Sequence, residues 1–413
     1  MSFPKYFPRE VLISSRWLAR LALFLTCGAM AAAAMTTGAA PAASTASADI
    51  IYHAAKRSLV NVTSGTPELA QLMQHAFSIH GAFDLAAPSQ AEYTLRFESS
   101  GMNHVTVSVT GKMNFTAEAT GASWREAAYR AADAVVQKIT NLPGIFAGKL
   151  AFMSERMGGR EIFSSDLFGQ PPVLQLTTYK RNSYDPHWSP DGTKLLYTSD
   201  FSSGFPDIIL LNTVTHQQRV FMSKQGTNTG AVFSPDGAHV AMILSATGNS
   251  ELYVCDADGS NLRHLTQTAA SAREAAPIKS SPCWSPDSKQ IMLDVDPGPL
   301  LYEVSVGGGA LRAVAPKYYS QSFDPAWNPR DPDIVAFMTQ TGGSQIATFS
   351  FSTGKVSVLT DGSEPCWAND GRHLIITRRD HGKDQLYLFD TITSKISALT
   401  TLGASQASFV YQK

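Results

Sequence analysis

The chain has 413 residues, 44% of them hydrophobic and 16% charged, with a formal net charge of −1. That length allows a large buried core and more than one domain. The near-zero charge gives no electrostatic footprint for nucleic acid or an anionic membrane surface, and four cysteines are too few for a disulfide scaffold.

The first 48 residues read as an export signal. Lys5, Arg9, Arg16 and Arg20 supply positive charge, and an apolar run follows from Leu21 through Ala34. Small residues then dominate up to Ala48, so cleavage is expected after Ala34 or after Ala48. A retained membrane anchor is the competing reading. Leu23 to Cys27 has a faint lipobox look, but Thr26 is a poor neighbour for a lipidated cysteine. Beyond this segment no apolar run is long enough to span a bilayer.

Residues 49–146 read as a small α/β domain. Residues 58–63 form a strand pattern. Thr66 is placed to cap a helix with Pro67 in its first turn, and Leu69, Leu72, Met73, Ala76 and Phe77 share one face. Gly81 ends that helix. Strands are expected over 93–98, 104–110 and 114–119. Ser123-Trp124-Arg125-Glu126 is a capping box, opening a second helix that Asn141-Leu142-Pro143-Gly144 stops. His75, His80 and His104 have no metal-ligand partner at a recognisable spacing, so no metal site is expected.

Residues 147–413 carry a repeat. Pro186-His187-Trp188-Ser189-Pro190-Asp191-Gly192 returns as Val232-Phe233-Ser234-Pro235-Asp236-Gly237 and as Pro282-Cys283-Trp284-Ser285-Pro286-Asp287-Ser288. Weaker copies are Pro325-Ala326-Trp327-Asn328-Pro329, Pro365-Cys366-Trp367-Ala368-Asn369-Asp370-Gly371 and, last, Ser408-Phe409-Val410-Tyr411. A spacing of about 40–50 residues is that of propeller blades. In each copy a short strand carries an aromatic ring, and Ser-Pro-Asp-Gly turns the chain. Trp188, Phe233, Trp284, Trp327, Trp367 and Phe409 are therefore expected as structural core. One such Trp hides about 150–250 Å², roughly 4–6 kcal/mol as an upper estimate. The turn aspartates do not converge as a Ca²⁺ loop requires.

Three further strands follow each aromatic strand. A triplet also begins the region near Leu150, Glu161 and Val173 with no aromatic strand before it, and Phe409 has none after it. The two sets match only if the C-terminal strand completes the first blade. The fold class is thus mainly β: a six-bladed β-propeller closed by the C-terminal strand, preceded by a small α/β domain.

The residue before each motif proline is expected near one mouth of the central channel. These are Asp185, Ser281, Asp324 and Glu364, with Gly230 and Gln406 at the divergent copies. Asp185 and Asp324 belong to the second and fifth blades and should face each other. One reading is an acidic mouth that receives a partner's donor groups. The other is that carboxylates at strand starts cap loops and stay solvated. Cys283 and Cys366 lie two blades apart, too far to bridge, and are expected as free, buried thiols. His187 adjoins Trp188 on a strand and is expected to point to the other face, where it does not help the channel carboxylates.

The two-domain order with Trp-Ser-Pro-Asp-Gly turns resembles the TolB family of the Tol–Pal envelope system. Ser123 to Phe146, leading into Lys149-Leu150-Ala151-Phe152, is similar to that family's interdomain helix and junction. Ser165-Asp166-Leu167-Phe168-Gly169 resembles its first-blade turn, and Glu251-Leu252-Tyr253-Val254-Cys255-Asp256 one of its strands. The resemblance implies a periplasmic binding protein without cofactor or catalytic residues. Its propeller would bind Pal, a peptidoglycan-associated lipoprotein, and the start of the mature chain would contact a TolA-like protein. Outer-membrane integrity and constriction at division would be the processes served. The opening at Asp49-Ile50-Ile51-Tyr52-His53 departs from the family, and the N-terminal domain looks shorter.

Two enzyme readings compete. A peptidase would need a Gly-x-Ser-x-Gly elbow and a further α/β sheet, and no such elbow occurs. A lyase- or lactonase-like propeller would bind a small molecule or metal in the channel, with Asp185, Asp324 and Glu364 as its carboxylates.

Overall fold

The computed structural model describes residues 57–156, 158–169, 173–266, 282–295, 300–314, 321–340, 342–400 and 403–412. The expected export signal, its cleavage sites, Cys27 and Ser281 lie outside the described residues.

Five strands make the first sheet, in the order Phe83–Leu85, Ser58–Ser64, Tyr93–Ser99, His104–Gly111, Phe115–Thr120. The first three pair in parallel and the rest antiparallel. Strand Phe83–Leu85 is not among the strands expected from the sequence, because three residues are too few to show an alternation. Helices α1 (Pro67–Ile79) and α2 (Trp124–Thr140) connect and cover the sheet. Leu69, Met73, Ala76 and Phe77 of α1 and Ala128, Ala131 and Val135 of α2 meet Val60, Leu95, Phe97 and Val107 in one core.

Capping differs at the two helices. Ser123 Oγ accepts the Glu126 N–H at 3.3 Å, while Glu126 Oε2 accepts the Ala122 N–H. The expected cap at Thr66 is not made: Thr66 takes the N-cap position with extended φ, but its side chain makes no cap bond. Pro67 supplies the start instead, because its fixed φ suits the first turn and it has no N–H to satisfy.

Six four-stranded antiparallel sheets follow. Their aromatic strands are Ala404–Val410, Ser183–Trp188, Asn228–Phe233, Cys283–Trp284, Ser322–Trp327 and Ser363–Trp367, taken here as blades 1 to 6. Blade 1 is completed by the C-terminal strand, with Phe409 opposite Leu150 and Val410 opposite Lys149. The ring therefore leaves no open edge at its closure.

Each turn is held by its own side chains. Ser189 Oγ donates to Asp191 Oδ1 at 2.6 Å and accepts the Lys194 N–H at 2.9 Å. Ser234 with Asp236 and Ser285 with Asp287 repeat this arrangement. The serine hydroxyls hold Asp236 and Asp287 below the ordinary carboxylate range.

Two of the aromatic rings join one blade to the preceding one. Trp284 Nε1–H donates to the Val232 carbonyl at 3.1 Å, and Trp367 Nε1–H to the Ala326 carbonyl at 2.9 Å. Each acceptor stands one residue before the aromatic of the preceding blade. Trp188, Phe233, Trp284 and Trp367 are buried, whereas Trp327 and Phe409 are half-buried. Trp327 turns its indole N–H to Pro332 in its own blade and stacks on Phe351, which leaves it nearer the surface. Phe409 lies on Gly148, where a Cβ would come within 2.2 Å of its ring.

The α/β region is fastened to the ring just after α2. Asp133 on α2 accepts the Phe146 and Ala147 N–H groups at 2.8 and 2.9 Å and the Tyr411 hydroxyl at 2.9 Å. Burial pushes its carboxyl up to about 7 against these bonds. The hydrophobic core runs continuously from Phe77 through Phe146 and Phe168 to Leu388 of blade 6.

Candidate functional site: the channel mouth

The aromatic strands of neighbouring blades lie against one another, which makes them the innermost strands of the ring. Each of the five described at full length is broken by a bulge at the same rank. At that bulge the backbone is left-handed: φ is 56° at Asp185, 64° at Gly230, 48° at Asp324, 53° at Glu364 and 55° at Gln406. Proline follows three of them, and a bulge is where a residue without an N–H does not break the ladder.

The bulges surround a cavity of about 450 Å³ lined by all six aromatic strands. Asp185, Asp324, Glu364, Gln406 and His187 supply polar groups to its wall, and no described lining residue is Lys or Arg. Hydrogen bonds pass from blade to blade. Gln406 N–H donates to Glu364 Oε2 at 2.8 Å, and Asp185 N–H donates to Gln406 Oε1 at 3.0 Å. Thr377 Oγ1 donates to the same Glu364 oxygen at 2.7 Å.

The electrostatics of this mouth are one-sided. Burial, then the neighbouring Glu364, Asp294 and Asp185 carboxylates, push Asp324 up to about 7. Burial also raises Glu364, although the Thr377 and Gln406 bonds oppose it. The free protein thus holds acids that are costly to ionise. A ligand that brings hydrogen-bond donors or positive charge would relieve that cost.

Two readings of single residues change. His187 alternates with Trp188 as expected, but that puts it on the same side as Asp185, two residues back; its Nε2 lies 3.2 Å from Asp185 Oδ1. The opposite face is the cavity face. Cys283 and Cys366 are free, yet as residues they are half-buried and stand on the cavity wall. Burial of the sulfur pushes the thiols up to about 12 and about 11, so neither is a ready nucleophile.

A second polar cluster lies where α1 meets blade 6. His80, Asp370, His373, Arg372 and Asp390 are all buried together. Burial and the neighbouring His373 hold His80 well below its ordinary value. Burial opposes a charged His373 as well, but the Asp370 and Asp390 carboxylates raise it. Sequence reasoning missed this cluster because His80 and His373 are far apart in the chain. A signal was present: the sixth turn has Ala368 where other copies have Ser189, Ser234 and Ser285. Without that hydroxyl, Asp370 Oδ2 turns to His373 Nδ1 instead.

Among the described residues no helix is long and apolar enough to cross a membrane. The family profile described as "TolB beta propeller domain" matches residues 136–408. The Tol-Pal system protein TolB of Anaeromyxobacter dehalogenans (strain 2CP-C) is 34% identical over 166 residues, which is 40% of this chain and 36% of that protein. That of Bordetella pertussis is 29% identical over 189 residues, 45% and 41% of the two chains. The matched region thus spans 36–41% of these relatives' length. The crystal structure of TolB from Acinetobacter baumannii superposes with a TM-score of 0.75, covering 88% of this chain and 99% of that one at 18% identity, a likeness of fold. With the family profile covering most of the ring and running from α2 to the closing strand, the chain belongs to the TolB β-propeller family.

Proposed function

We propose that this chain is a periplasmic, non-enzymatic binding component of a Tol–Pal-like envelope system. Its propeller binds a peptidoglycan-associated lipoprotein at the acidic channel mouth, and through it the protein supports outer-membrane integrity and constriction at division. The observation that carries the reading is the ring of side chains at strained bulges, Asp185, Asp324, Glu364 and Gln406, around a cavity with no described Lys or Arg in its lining. Such a surface is built to receive donors from outside, and membership of the family gives the class of partner. A TolA-like protein is proposed for the segment ahead of residue 57, and Ser281 is proposed as the blade 4 member of the mouth.

The test is binding of a Pal-like lipoprotein ectodomain to wild type and to Asp185→Asn with Asp324→Asn. Asparagine tolerates left-handed φ, so the pair removes charge without adding strain. We expect at least about a tenfold loss of affinity, near 1.4 kcal/mol, with a melting temperature no lower than wild type. Unchanged affinity would move the contact off the mouth. Failure of the wild-type protein to recover any peptidoglycan-binding lipoprotein from envelope extract would sink the reading altogether.

A further inference from the structure

We propose that His80, Asp370 and His373 form a binding site for one divalent metal ion of the zinc class, joining the α/β region to blade 6. One ligand atom from each of the three residues can be chosen so that all lie within 4.8 Å of one another. Bonds of about 2.0–2.1 Å in a tetrahedron place such atoms about 3.3 Å apart, so the site closes with shifts of an ångström or so.

Three observations point to a ligand. First, His80 is 1% exposed and neither of its ring nitrogens has a partner. A buried polar group left so costs about 1–3 kcal/mol, and such orphans call for an explanation. Its ring is positioned by edge contacts to Phe83, Phe146 and His373.

Second, the other two ligands are already oriented by bonds, and their remaining atoms, Asp370 Oδ2 and His373 Nδ1, meet each other. Asp370 Oδ1 accepts the Arg372 and His373 N–H groups, both at 3.0 Å, which leaves Oδ2 available. His373 Nε2 bonds to the His80 carbonyl, which leaves Nδ1. A ligating imidazole whose far nitrogen donates to a backbone carbonyl is the usual support of a metal site. In the metal-free chain Asp370 Oδ2 and His373 Nδ1 are joined by a hydrogen bond of 2.6 Å. The metal takes the place of the proton in that bond, and the proton leaves to solvent.

Third, the remaining carboxylate is otherwise engaged. Asp390 lies 3.6 Å from His373 Nε2 but is gripped by Arg372, whose Nη2 is 2.6 Å from Oδ2. Two imidazoles and one carboxylate suit zinc better than calcium or magnesium, which prefer all-oxygen sets.

The experiment uses the full chain, free of any histidine tag, stripped with chelator and titrated with Zn²⁺ by calorimetry. Metal content and melting are measured in parallel. We expect one Zn²⁺ per chain, micromolar or tighter, and a melting temperature that rises with zinc and falls back with chelator. His80→Phe keeps the ring contacts to Phe83 and Phe146 and should stay folded while losing more than about tenfold in affinity. Asp370→Asn provides a second variant should the first misfold. No stoichiometric binding by the wild type overturns the proposal, as does wild-type affinity in a folded variant. Neither outcome bears on the channel mouth, which lies on other residues.

Discussion

Asp324→Asn is expected to stabilise the protein, by an amount that grows between pH 5 and pH 8. In the folded chain the Asp324 carboxyl is raised from 3.8 to about 7 by burial and by three nearby acids. The folded state therefore keeps a proton across a window, between about 4 and 7, in which the unfolded chain has released it. Stability falls as pH rises through that window, and the full cost applies above it. Three units correspond to about 4 kcal/mol as an upper bound. Asp324 is partly exposed to the water of the cavity, so a discounted figure of about 1–2 kcal/mol at pH 8 is the working value. Asparagine cannot ionise and carries no such penalty. It also tolerates the φ of 48° at this position.

The assay is urea unfolding followed by tryptophan fluorescence, for both proteins at pH 5 and pH 8. The variant's advantage should be small at pH 5 and clear at pH 8. An advantage equal at both pH values would show that charge is not its origin. A variant less stable than wild type at pH 8 would show that the ionised carboxylate is well accommodated, and the account of a charge-frustrated mouth would fail. Glu364 titrates in the same field, so the wild-type profile belongs to the coupled group rather than to Asp324 alone.

Trp284→Ala should destabilise by about 3–5 kcal/mol, the usual cost of emptying a packed aromatic site, read from the same unfolding curves. A loss below about 1 kcal/mol would show that neither the ring nor its bond to Val232 holds blades 3 and 4 together. Gly81→Ala should lower the melting temperature, because φ is +85° and the new Cβ would lie 2.2 Å from Asp390 Oδ2. At least about 1 kcal/mol is expected, and an unchanged melt would deny the close approach of α1 to blade 6.

The ring was legible because its rules are local. Each Trp-Ser-Pro-Asp-Gly copy specifies a strand and a turn from five neighbouring residues, and counting strands forces the closure of Phe409 onto Leu150. The rank of the mouth residues was legible for the same reason, since the proline that follows Asp185, Asp324 and Glu364 marks the bulge. What those residues touch was not. Gln406 bonds Asp185 across 221 positions, and no periodicity encodes that pairing. His187 was misplaced because alternation along a strand tells which residues share a side, not which side is the cavity. His80 was passed over because its neighbours come from the other end of the chain.

The bulge positions make a stronger case for function than the acids alone. A non-glycine residue in left-handed φ costs roughly 1–2 kcal/mol relative to glycine. Glycine would therefore be the cheaper residue at every such position of the mouth, and the chain uses it at Gly230. At Asp185, Asp324, Glu364 and Gln406 it keeps side chains and accepts the strain. A role limited to capping loops would not explain this, because Gln406 is uncharged and its side chain serves a neighbouring blade rather than its own. Nor would full solvation of Asp324 and Glu364, because both carboxyls are only partly exposed and burial disfavours their charges. Beside the interblade bonds of Gln406 and Glu364, strain and charge frustration at one shared rank are what the proposed docking role calls for. Under the proposed function, the cavity they line is where the partner's donor groups would sit.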